Sequence, residues 1–135
     1  MYILHVVTLL SASGTYGGPV SAALAQCEGL GKRGHAVTLA AGWDGSEQPA
    51  ASGFGLKLHR VRQLPGAGLA GLFSMTMLRD LWRTAGRADI VHVHMARDLV
   101  TLPAAIIAVL RKKPLVVQTH GMIRVDGRLK ARVVD

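Results

Sequence analysis

The chain has 135 residues, half of them hydrophobic and 18% charged, a composition that excludes a disordered segment and suits one globular domain. No apolar run reaches the roughly 18 residues that a membrane-spanning helix needs, and the few aromatic side chains, with no recognition motif, speak against nucleic acid. The net charge of +8 is either a solvated basic surface or a sign of an anionic partner, such as an acidic membrane or a phosphorylated substrate.

Residues 2–10 (YILHVVTLL) are short, apolar and rich in β-branched side chains, and they lead into a glycine-rich stretch, so they are predicted to form a buried strand. No Lys or Arg precedes them, unlike the basic start of a secretory signal. After the loop GTYGGPV (14–20), Val20, Ala23, Leu24, Cys27 and Leu30 fall at helical spacing. Pro19 suits the first helical position, Lys32 and Arg33 the negative end, and Gly34 the stop. Cys27 lies on the apolar stripe and reads as a core residue. With no second cysteine and no Cys/His zinc spacing, neither an internal disulfide nor a bound metal is expected, which suits a cytoplasmic protein.

HAVTLAA (35–41) is a second strand, 42–55 a polar loop, and LKLHRV (56–61) a half-exposed third strand. Beyond a Pro/Gly turn, a helix is predicted over 69–85, with Leu69, Leu72, Phe73, Leu78, Leu81 and Trp82 on one side. Arg79, Arg83 and Arg87 recur every four residues beside that face. DIVHVH (89–94) is a fourth strand, 101–111 a helix with Pro103 near its start, and PLVVQTH (114–120) a fifth strand. A last helix begins near Asp126, and the sequence ends within it with Leu129, Val133 and Val134 lacking a surface to pack on. The single domain over 1–135 is therefore expected to be incomplete at its C-terminus.

This alternation predicts an α/β fold, a Rossmann-like open parallel sheet with helices on both faces. With strand order 3-2-1-4-5, ligands would bind at the carboxyl ends of the first and fourth strands. The residues there are the GTYGGP loop, His94 and Met95, and the His120-Gly121 pair after the fifth strand. A glycine pair before a helix lets a phosphate approach the free N–H groups and the positive dipole end, although the same glycines would serve a tight strand-to-helix turn. Gly14, Gly17 and Gly18 do not have the G-x-G-x-x-G spacing of a nicotinamide-nucleotide site, and Asp44 lies beyond the apparent strand end where the ribose-binding acid should sit. His120 is the main catalytic candidate, since an imidazole there could donate to a sugar hydroxyl or a phosphate oxygen. His92 reads as a hydrogen-bonded core residue, while His5, His35 and His59 have no evident partner.

GGPVSAALAQCEGLGKRGHAVTLAA, ADIVHVH and PLVVQTHGM, in that order over nearly the whole chain, resemble the N-terminal domain of glycosyltransferase family 4, a group of GT-B-fold enzymes. The resemblance implies an acceptor-side half of a two-domain enzyme whose C-terminal domain, absent from these residues, holds most of a nucleotide-diphosphate sugar. It implies sugar transfer with retention of configuration, with neither metal nor other cofactor. Carried over by position, Gly17 and Gly18 would approach the donor diphosphate with Gly121 beside them, and His120 would contact the transferred sugar or its phosphate. Tyr16, His94 and Met95 are placed at the border of a saccharide or lipid-linked acceptor by their location. The fragment alone is expected to be inactive.

Two other readings compete. One is an NAD(P)-dependent oxidoreductase, against which the glycine spacing counts. The other is a non-catalytic basic module that holds acidic membrane or a phosphorylated partner through Arg79, Arg83 and Arg87. The last is compatible with a transferase working peripherally at the inner face of the membrane.

Overall fold

The computed structural model describes residues 1–10, 17–45, 53–66, 71–96 and 98–119. Five strands form one parallel sheet: β1 (Tyr2–Leu10), β2 (Ala36–Trp43), β3 (Gly55–Arg60), β6 (Ile90–His94) and β7 (Leu115–Gln118). Their order is β3-β2-β1-β6-β7, the order expected from the sequence. A short antiparallel pair, β4 (Arg62–Gln63) with β5 (Leu72–Phe73), stands apart from the sheet.

Alternation along the strands sends side chains to two apolar layers. On one face, Val7, Leu10, Val37, Leu39 and Ala41 pack against Ala23 and Cys27 of helix α1 (Gly17–Lys32). On the other, Leu4, Val6, Ala40, Val91 and Val93 pack against α2 (Met75–Arg87) and α3 (Thr101–Leu110). Helices therefore cover both faces, the α/β Rossmann-like arrangement that the apolar runs anticipate. Burial pushes the Cys27 thiol up to about 12, so almost none of the reactive thiolate exists at neutral pH. A disulfide-exchange reagent at pH 8 is expected to leave Cys27 unmodified in the folded chain and to react with it once urea unfolds the domain.

Helix α1 ends as the sequence indicates. Gly34 has φ 90°, and the His35 amide donates to the Leu30 carbonyl at 3.2 Å, closing the last turn. Helix α2 begins later than the apolar pattern indicates, because Leu72 and Phe73 pair with Gln63 and Arg62 in extended conformation. Ser74 then caps the helix by accepting the Met77 amide at 3.3 Å, and a serine cap outweighs hydrophobic spacing in setting a first turn. The further helix expected near Asp126 lies outside the described residues.

The pairing of β1 with β2 skips Thr8, since Val7 faces Ala41 and Leu9 faces Gly42. Gly42 accommodates this bulge, because a Cβ there would run into the Thr8 carbonyl oxygen.

Candidate functional site

In a doubly wound sheet, a crevice opens where successive connections leave on opposite faces. Here that point lies between β1 and β6, since α1 follows β1 onto one face and α3 follows β6 onto the other. Gly17 is the first residue of α1, so the glycine pair lies in the first turn, at the carboxyl end of β1. Backbone N–H groups in a first turn lack acceptors within their own helix, and α1 has no acidic side chain there to compete with an anion. The first turn of α1 thus presents donors and a positive dipole end.

Opposite this helix mouth, β6 ends at His94, and the Met95 amide donates to the Gln118 carbonyl at 2.7 Å, tying β6 to β7. Met95 is partly exposed, whereas His94 is buried against His5, whose Nδ1 lies 3.1 Å from His94 Nε2. Tyr16, His120 and Gly121 lie outside the described residues.

Asp98 organises this end of the sheet, and the sequence reading passed over it. Its Oδ1 accepts the amides of Val100 at 2.8 Å and Thr101 at 2.7 Å, together with the Thr101 hydroxyl. Its Oδ2 accepts the hydroxyl of the bulged Thr8. One buried carboxylate therefore caps α3 and pins its start to the end of β1. The signal was present: an aspartate three residues ahead of a helix with proline in its first turn is a capping pattern.

The second unforeseen feature lies beneath α1. His5 on β1 faces His92 on β6 in register, and His94 follows two residues later on the same face. The three rings stack, with centroids 4.5 Å apart for His5–His92 and His92–His94. Burial, reinforced by the neighbouring His92, lowers the His5 pKa to about 3, so His5 is a neutral imidazole. His92 bonds to Gln118 Oε1 through Nε2 at 3.2 Å, in keeping with its expected role as a hydrogen-bonded residue of the strand.

A shallower groove of about 370 Å³ runs between β3 and α2, lined by Lys57, His59, Thr76, Arg79, Asp80 and Arg83. Asp80 binds both His59 Nε2 at 3.2 Å and Lys57 at 3.3 Å. That supplies the partner that His59 lacked in the sequence reading.

A family model for the glycosyl transferase 4-like domain matches residues 17–135. The chain belongs to that family. This glycosyltransferase assignment agrees with the resemblance seen in the sequence, and it makes the protein a domain of a transferase in the broad sense. No curated protein matches the chain. In this glycosyl transferase 4-like domain β2 runs on to Trp43, so Asp44 directly follows the strand tip. The nicotinamide reading thereby gains an acid in the expected place, but the glycine spacing still lacks its fingerprint. None of the described helices is long and apolar enough to cross a membrane.

Proposed function

We propose that this domain forms the acceptor side of a glycosyltransferase that takes its sugar from a nucleoside-diphosphate donor. The observation that carries the reading is the start of α1 at Gly17-Gly18, on the carboxyl end of β1 and at the crevice of a glycosyl transferase 4-like domain. The donor diphosphate would accept hydrogen bonds from the Gly17 and Gly18 amides, with Gly121 adjoining them, and helix-end donors would stabilise the charge left on it as the sugar departs. His120 would orient the sugar. Tyr16, His94 and Met95 would border a saccharide or lipid-linked acceptor. Retention of configuration and transfer without metal or other cofactor belong to the same proposal.

Energetics ask for a second domain. Holding a donor at about 0.1 mM takes roughly 5.5 kcal/mol. A helix N-terminus contributes about 0.3–2 kcal/mol and one charge-assisted hydrogen bond about 1.5–3 kcal/mol, before any association cost. A donor-side domain facing the crevice would supply the remainder. Sugar transfer from a panel of labelled nucleotide-diphosphate sugars tests this. No turnover is expected from the 135 residues alone, and EDTA-resistant turnover is expected when they are joined to a donor-side domain of the same family. Transfer by the isolated chain, or none by the joined one, would count against it.

Helix α2 supports a peripheral membrane role for the same domain. Met75 is 70% and Trp82 43% exposed, and Arg79, Arg83 and Arg87 are exposed on the same helix. Basic residues beside apolar ones are what an acidic lipid surface attracts, and the inner, cytoplasmic face of a membrane is such a surface. At about 1 kcal/mol per basic residue, changing all three arginines to glutamate should weaken binding to anionic vesicles by about a hundredfold or more. Co-sedimentation with phosphatidylserine-containing vesicles reads this directly, and equal binding by both proteins would contradict it.

A further inference from the structure

The three histidines beneath α1 form the densest group of potential ligand atoms among the described residues. One ring nitrogen from each of His5, His92 and His94 lies within 4.8 Å of the others. We propose that these three side chains bind a single late first-row divalent metal ion, zinc or a close neighbour in the series.

Four observations carry this. First, the pair His5 Nδ1 and His94 Nε2 stands 3.1 Å apart. Two nitrogens bound to one tetrahedral zinc at about 2.0–2.1 Å stand about 3.3 Å apart, so an ion fits where the pair now shares a proton. Second, His92 Nε2 bonds to Gln118 Oε1, a carbonyl acceptor of the kind that orients a ligating ring. The same oxygen accepts Gln26 Nε2 at 3.0 Å, so the acceptor is itself held.

Third, two buried polar atoms have no partner among the described residues, His5 Nε2 and Gln26 Oε1. Both residues line one pocket of about 400 Å³ with His92 and Arg33. A metal on His5 Nδ1 would fix the proton on Nε2, the atom that lacks an acceptor, at a pocket roomy enough to hold water. Fourth, three imidazoles without a carboxylate form a donor set suited to zinc, copper or nickel and poor for magnesium or calcium. Convergence on one ion turns the rings out of their stack, and water from the adjoining pocket would fill the fourth position.

The untagged chain, stripped with chelator, should bind one Co²⁺ with the visible ligand-field bands of a four-coordinate ion, and Zn²⁺ should displace it. His92→Ala, at a partly exposed ring, is expected to weaken binding at least about tenfold, while His35→Ala and His59→Ala keep it. Should the His92 variant fail to fold, Cu²⁺ bound to the unaltered chain decides. Nitrogen coupling from several imidazoles in its paramagnetic resonance spectrum supports the site. A cobalt spectrum unchanged from free buffer, binding that survives His92→Ala, or a copper spectrum with a single nitrogen would leave only a stack of imidazoles. None of these readings depends on sugar transfer.

Discussion

Asp98→Ala is expected to destabilise the domain by about 4 kcal/mol, and to lower its melting temperature by about 10–15 °C. The carboxylate is buried and accepts two amides and two hydroxyls, from Val100, Thr101 and Thr8. Removing a helix cap alone costs about 0.5–2 kcal/mol. Each buried donor left without an acceptor adds about 1–3 kcal/mol. Asp98→Asn keeps one acceptor oxygen and should lose roughly half as much. Urea unfolding of the three proteins tests the ranking. A loss below about 1 kcal/mol for alanine would show that Asp98 does not hold α3 to β1. The bond matters beyond stability, because Thr8 and Asp98 join the two strands whose ends form the crevice.

The second large effect is a pH dependence centred on His5. Its folded pKa is about 3 against an ordinary 6.5. Below pH 6.5 the unfolded chain therefore takes up a proton that the folded chain refuses, and stability falls as pH falls until about pH 3. The slope approaches about 1.4 kcal/mol per pH unit. The charged and titratable groups around His5 are His92, His94 and Arg33, all of which disfavour a further positive charge when themselves protonated. His5→Phe removes this titration while filling a similar volume. In metal-free buffer, the stability gap between the native chain and the variant should narrow by about 3 kcal/mol from pH 7 to pH 4. A gap independent of pH would mean that His5 titrates normally.

The sheet order and the placement of α1 could be read from residues because local signals agree there. β1 is mostly apolar, Pro19 and Gly34 suit the two ends of a helix, and short strand-like runs alternate with helical ones through the rest of the chain. The start of α2 could not be read from apolar spacing, since Leu72 and Phe73 fit both a helix face and a short strand, and only the Ser74 cap separates the two. Asp98 escaped notice for a different reason. Its meaning comes from Thr8, ninety residues away in sequence, turned toward it by a bulge that no local pattern announces.

The histidines show the same limit. His92 and His94 share a face by strand period, which the sequence makes plain. That His5 lies opposite His92 depends on the register of β1 against β6, and this is fixed only when the whole sheet assembles. A search for Cys/His spacing along the chain therefore does not find imidazoles gathered from two strands. The glycine pair reads as a loop directly before a helix that opens at Pro19, whereas α1 starts two residues earlier, at Gly17, and so takes the pair into its first turn.

The central claim is that the first-turn amides of α1 receive a donor diphosphate, and amide chemical-shift titration with nucleoside diphosphates tests it most directly. The account predicts millimolar-range binding, with the largest shifts at the Gly17 and Gly18 amides and smaller ones at Met95. Shifts concentrated on Arg79 and Arg83, or no shift at the two glycines at saturating diphosphate, would contradict it.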